Sequence, residues 1–190
     1  MPIISAISAL HDRIFTSLES GLNGWFLGLA ARLVFTGVLL LYYLNSFATK
    51  VGEGFTGFFV VQDGAYYQIL PSVIEAYEYD TANIPFIPYD LIVIAGTYTE
   101  VLLPIMIVIG LFTRIAALGM IGFIIVQSYV DIVFHGVEEK TIGALFDRFP
   151  DSLILDQRSL WIFLLAYLVI KGAGAISLDG ILSARRRPSD

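Results

Sequence analysis

The sequence predicts an all-α polytopic membrane protein: a four-helix transmembrane bundle with an N-terminal amphipathic interfacial helix. Three observations carry that expectation. Mean hydropathy is +0.78 and 57% of the residues are hydrophobic, more apolar surface than a soluble domain of 190 residues can hide. The run from Leu91 to Phe134 is interrupted by charge only at Glu100, Arg114 and Asp131. As one helix it would measure about 65 Å, roughly twice the hydrocarbon core of a bilayer, so it must fold into two spans. Third, Ile3, Ile4, Ile7, Leu10, Ile14, Leu18 and Leu22 recur at three- and four-residue spacing, with Ser5, Ser8, Asp12, Ser17 and Glu19 between them. Such a helix lies in the membrane interface or packs on a partner protein.

Taken in chain order, the first span is expected at about 25–47, with Trp25 at one interface and Tyr42-Tyr43 near the other. A long outer loop follows over 48–89, rich in aromatic residues, with short interfacial helices expected at Val60-Val61 and over Tyr67 to Tyr77. Its length suits a binding cap or a cover over the mouth of the bundle. Pro85 and Pro88 stop any helix before the second span, 91–111. Gly110 to Arg114 is the turn into the third span, 115–134. A polar segment from His135 to Arg158 precedes the fourth span, 160–176, and the tail carries Arg185-Arg186-Arg187. No repeat or second domain interrupts this order, so residues 1–190 read as one membrane domain.

Composition narrows the chemistry. The chain has no cysteine, which excludes disulfides, thiol catalysis and thiolate-held metal or iron–sulfur centres on its own side chains. A net charge of -6 and the absence of a basic, aromatic-interleaved patch argue against nucleic acid as a partner. The N-terminus shows no basic n-region or cleavage site, so insertion is expected to rely on the first span. Arg13, Arg114 and Arg185 to Arg187 fall on one side, against Lys50, Lys140, Arg148 and Arg158 on the other. The tighter clustering beside the first group places both termini in the cytoplasm.

Ionisable residues within the spans are the candidate site. Counted from the outer interface, Glu100 lies about 15 Å deep, Lys171 about 17 Å and Arg32 about 20 Å. The expectation is a cluster in which Glu100 sits between Arg32 and Lys171 near mid-membrane, with Thr97 on the Glu100 face offering a hydroxyl. Two readings stay open for it: a buried clamp that sets helix packing, or a proton- or ligand-handling site. Gln127 and Asp131, four residues apart on span three, share a face and form either a polar entrance under the aromatic loop or a hydrated interfacial pair. His11 and His135 fall on opposite sides and cannot share a metal. No phosphate loop, nucleotide fingerprint, nucleophile elbow or zinc motif is present.

Three segments together resemble the DoxX family of small four-span membrane proteins. Arg32, Gly37 and Lys50 are similar to its opening pattern. Glu100-Val-Leu-Leu-Pro-Ile-Met-Ile-Val-Ile-Gly110-Leu-Phe-Thr-Arg114-Ile-Ala-Ala-Leu resembles its most distinctive block, and Gly172-Ala-Gly-Ala-Ile-Ser177-Leu-Asp179 its closing element. The resemblance implies a bacterial or archaeal cytoplasmic-membrane protein. Some relatives are membrane subunits of thiosulfate:quinone oxidoreductase, and others belong to oxidative-stress complexes. Carried over, this implies a quinone-facing subunit with soluble redox partner proteins, Glu100 handling a proton and Arg32 and Lys171 holding a quinone oxygen or an anion. Quinone is the cofactor so implied, and a homo-oligomer is compatible with it. The alternative is a non-enzymatic scaffold or small-solute transporter whose buried charges are structural.

Overall fold

A computed structural model describes residues 2–185; Arg186 and Arg187 of the tail cluster lie outside the described residues. The amphipathic helix α1 (Pro2–Leu22) leads through Gly24 into the first span, α2 (Phe26–Ala48). The connection between α2 and α5, an outer loop in that it lies beyond the ends of the spans, holds α3 (Asp63–Ile69) and α4 (Pro71–Ala76). Three further apolar helices follow: α5 (Leu91–Ile109), α6 (Thr113–Val133) and α7 (Leu153–Lys171), and then a short terminal helix, α8 (Leu178–Arg185). α2, α5, α6 and α7 are each long and apolar enough to cross a bilayer. Their contacts close a ring, α2 to α5 to α6 to α7 and back to α2.

The bundle is mostly apolar inside and out, with a few buried polar and charged side chains among the helices. Phe35, Leu39, Tyr43, Ile107, Ala116, Ala117, Met120, Ile124, Leu165 and Leu168 fill its centre. Leu33, Leu41, Leu102, Ile115, Leu118, Val126, Phe163 and Ile170 point outward and are exposed. Lipid tails are as apolar as these side chains, so the packing is set by shape and by the few polar contacts. Ala116 and Ala117 let α6 approach its neighbours closely. On α1, the exposed residues Ile4, Ile7, Leu10, Ile14, Leu18 and Leu22 form the apolar stripe expected of an interfacial helix.

The α5–α6 turn falls where the sequence places it. Gly110 closes α5 in the left-handed region (φ +71°), and a Cβ there would crowd the Arg32 guanidinium carbon at 3.0 Å. Asp179 then caps α6: its two carboxylate oxygens accept from the backbone N–H of Phe112 (2.8 Å) and of Thr113 (2.9 Å).

Two expectations are corrected. The fourth span begins at Leu153, not near residue 160. Its first turn is closed by a reciprocal pair, the Ser152 hydroxyl accepting from Asp156 N–H (3.1 Å) and the Asp156 carboxylate from Ser152 N–H (2.9 Å). The polar run Asp156-Gln157-Arg158 hides this start, because Arg158 is 2% exposed and compensated inside the bundle. In the outer connection, Val61 forms an isolated antiparallel bridge with Val51 instead of an interfacial helix. Leu70 then breaks the expected Tyr67–Tyr77 helix into α3 and α4, with Pro71 as the first residue of the second.

Candidate functional site

Glu100 is buried in α5, 3% exposed, and its partner is Lys50. The Lys50 ammonium lies 3.1 Å from Oε1 and 3.0 Å from Oε2 of the carboxylate. It also donates to the Ser46 carbonyl (3.1 Å) and the Ser46 hydroxyl (2.8 Å), and that hydroxyl donates to Glu100 Oε1 (3.0 Å). Both charges are thereby matched and hydrogen-bonded, the condition under which a buried pair is tolerated. Lys50 follows the end of α2 and turns back one helical turn to reach Ser46. Its backbone is held there by the outer loop, since Gln62 N–H donates to the Lys50 carbonyl (2.8 Å) beside the Val51–Val61 bridge. Pro104 lies one turn beyond Glu100 and has no N–H, so the Glu100 carbonyl lacks its helical donor.

The expected cluster of Glu100 with Arg32 and Lys171 does not form. Arg32 donates from Nε to the Ile107 carbonyl (3.0 Å) and from Nη2 to the Val108 carbonyl (2.6 Å). Its Nη1 donates to the carbonyls of Ile176 (2.6 Å) and Ala173 (3.4 Å). Those acceptors on α5 lie seven and eight residues past Glu100, about 11 Å further along the helix. Arg32 therefore serves carbonyls in the last turn of α5, of which Ile107 also accepts from the Gly110 N–H (3.1 Å), and ties the post-α7 segment to them. Lys171 is the exposed last residue of α7. Because α7 starts at Leu153, Lys171 stands about 27 Å from its outer end, at the opposite boundary of the membrane.

Beside Glu100, between α5 and α6, lies a cavity of about 510 Å³. Gly96 and Ala95 on α5 and Gly119 and Gly122 on α6 leave it room, and Val126, Val130, Ile92 and Phe123 make its walls apolar. Polar groups stand along it: Ser46, Lys50 and Glu100 at one end, and Gln127, Asp131 and His135 along α6 and just beyond its end. Gln68 and Ile69 of α3 border it from the outer loop. His135 is fixed to that loop through Nε2 and the Gln68 carbonyl, 3.1 Å apart.

The remaining candidates separate. Gln127 and Asp131 line the cavity, as a shared face requires. Gln127 Nε2 donates to the Tyr42 hydroxyl (2.9 Å), while its Oε1 is buried without a protein donor among the described residues. Asp131 accepts from Arg158 Nη2 (2.6 Å), and Arg158 Nη1 donates to the Ser128 hydroxyl (2.9 Å). Thr97 is fully buried but does not line the cavity, and its hydroxyl has no partner among the described residues. Among those residues no three His, Asp or Glu side chains gather to hold a metal ion.

Sequence reasoning missed Lys50, Ser46 and Arg158 as site residues. The signal for Lys50 was its four-residue spacing from Ser46, which puts an ammonium and a hydroxyl on one face. Reading Lys50 as an outward interfacial charge concealed it.

These features define a small four-span helical membrane protein with a matched buried ion pair at the end of a lipid-depth cavity. The chain belongs to the DoxX family, whose model matches residues 27–136, more than half of its length. The match covers Arg32, Lys50, Glu100, the Gly110–Arg114 turn, Gln127 and Asp131, and ends before α7 and the Ser177-Leu178-Asp179 element. No curated protein and no solved structure matches the chain.

Proposed function

We propose that this protein is a quinone-facing membrane subunit of a redox complex, with its ligand site in the cavity between α5 and α6. One observation carries this reading: an apolar cavity of ordinary ligand size ends on an ionisable, fully hydrogen-bonded carboxylate. Small residues at 96, 119 and 122 leave space for a flat ring, and the walls suit an apolar tail. A quinone, when bound, supplies two-electron, two-proton chemistry. In this reading Glu100 holds or passes the proton, and Lys50 and Ser46 keep the carboxylate placed. Gln127 and Asp131 present polar atoms along the cavity, and His135 stands where a proton would pass to the outer loop. Soluble redox partner proteins supply the electron-transfer centres, and both termini face the cytoplasm of the inner membrane.

A second reading, a scaffold or small-solute transporter, is supported by the saturation of the Glu100–Lys50–Ser46 network, which needs no ligand for satisfaction. Quinone extraction from protein purified in mild detergent separates the two. Gly122→Leu fills the cavity from a position with no atom within 4 Å of the added Cβ, and leaves the ion pair alone. The redox reading expects quinone with the wild type and its loss from Gly122→Leu at unchanged accumulation. Absence of quinone from the wild type favours the second.

A further inference from the structure

At the boundary opposite the outer loop, Arg114 and Lys171 line a cleft of about 580 Å³ and are both exposed. The Arg114 side chain lies over Gly172, its Nε 3.3 Å from where a Cβ on that glycine would stand. Arg114 is thus placed beside the residue that follows Lys171. Neither cation has a carboxylate within ion-pair distance among the described residues. The one acidic residue lining the cleft, Asp179, has both oxygens occupied by the N–H groups of Phe112 and Thr113. Two cations therefore line the cleft against one carboxylate, and neither is in ion-pair contact with it.

A second groove, of about 520 Å³, adjoins the first and shares Lys171, Gly172 and Gly174 with it. It runs between α1 and the start of α2 and is lined by Phe15, Leu18, Trp25, Leu27 and Tyr167. Phe15, Leu18 and Leu27 are more than half exposed. Glu19 also lines this groove, but it makes no ion pair with Lys171. Two cations free of ion-pair contacts at the membrane boundary, beside an apolar groove, match one common molecule in shape and charge.

We infer that Arg114 and Lys171 bind the phosphate of an anionic phospholipid, with an acyl chain of the same lipid lying in the groove between α1 and α2. Arg114 brings a planar fork suited to phosphate oxygens and Lys171 a mobile point charge. The bound lipid would cover the apolar stripe of α1 where it meets the bundle and hold that helix against the membrane surface. This site lies at the N-terminal end of α6, shares no lining residue with the cavity beside Glu100, and does not depend on what that cavity holds.

Nanodiscs of equimolar phosphatidylglycerol and phosphatidylcholine, analysed by native mass spectrometry after release into mild detergent, test the inference. The wild type is expected to retain phosphatidylglycerol over phosphatidylcholine. Arg114→Gln/Lys171→Gln should weaken that retention about thirtyfold, which is about 2 kcal/mol at 1.4 kcal/mol per tenfold. Arg148→Gln, on the outer loop, should leave it unchanged. The charge-conserving Arg114→Lys/Lys171→Arg should keep the preference, which guards against a loss caused by misfolding. Equal retention of the two lipids by the wild type, or full retention by the double glutamine variant, overturns the proposal. Displacement of phosphatidylglycerol by millimolar inorganic phosphate overturns it as well, because the site would then read free phosphate and not a lipid.

Discussion

Lys50 reaches Glu100 by turning back along its own helix, placing its ammonium 3.0 Å from the carboxylate while also bonding the Ser46 hydroxyl and carbonyl. A lysine at the end of a span ordinarily extends toward the headgroups. Here the outer loop closes over it, and the counter-charge lies inward, so Lys50 is 3% exposed. The pair also ties the end of α2 to its neighbour α5.

Removing one member of this pair leaves the other charged in a low-dielectric site. Lys50→Met and Glu100→Gln are each expected to cost about 3–5 kcal/mol of stability. The combined Lys50→Met/Glu100→Gln variant should recover most of that loss, because Gln still accepts from Ser46 and no charge is stranded. Thermal unfolding of the three variants in detergent measures the coupling. Simple additivity of the two losses would show that the charges do not depend on each other. The double variant also separates the two functional readings: it folds in both, but only the redox reading expects it to lose its quinone-linked activity.

Arg32 makes a different prediction, because its role is geometric. Four carbonyls from two segments converge on one guanidinium: Ile107 and Val108 from α5, Ala173 and Ile176 from the stretch after α7. A lysine carries the charge but not the fork, so Arg32→Lys should lose about 2–3 kcal/mol and release the stretch after α7. The chain has no native cysteine, so Ala173→Cys, at a position 3% exposed, provides a unique reporter. Maleimide labelling of this cysteine should be slow beside Arg32 and fast beside Arg32→Lys. Equal labelling rates would remove Arg32 from this role.

Asp179 joins the last helix to the α5–α6 turn. Its carboxylate caps α6 and its own N–H donates to the Gly110 carbonyl (2.8 Å). Asp179→Ala is expected to cost about 1–2 kcal/mol through loss of the cap and of the charge at the helix N-terminus. Asp179→Asn, which keeps an acceptor but not the charge, should fall between the two. Hydrogen exchange at Phe112 and Thr113 reads the effect directly, and unchanged protection there would exclude the cap.

What was legible in the sequence follows from which interactions are local. The spans, the amphipathic α1 and the Gly110 turn depend on hydropathy, period and one left-handed residue, all of which act within a few positions. The shared face of Gln127 and Asp131 was legible for the same reason. Glu100 could be recognised as a buried carboxylate, but not its partner. Depth counting places residues along the membrane normal only as well as the helix ends are known. The hidden start of α7 at Leu153 displaced Lys171 by about 10 Å. It also makes no reference to rotation about each helix axis, which decides whether Arg32 or Lys50 meets Glu100. Arg158 was illegible because a buried, compensated arginine has the same one-letter signature as a solvated one.

The outer loop offers a test by pH. Tyr66 of α3 donates to Asp90 just before α5 (3.0 Å), so this hydroxyl fastens the loop to the mouth of the second span. Burial, followed by the hydrogen bond to Asp90 and the charges of Asp90 and Asp63, pushes the Tyr66 hydroxyl up from 10.0 to about 12. The phenol donates only while protonated. Between those two values the folded protein holds a proton that the unfolded chain has released, so stability must fall as pH rises through that window. The contribution is complete below about pH 10 and is lost as pH passes about 12. Tyr66→Phe lacks the hydroxyl at every pH. Its melting temperature should therefore lie below that of the wild type at about pH 9, and the gap should close as pH approaches the upper value. A gap that stays constant across the window would mean that the Tyr66–Asp90 bond does not hold the loop.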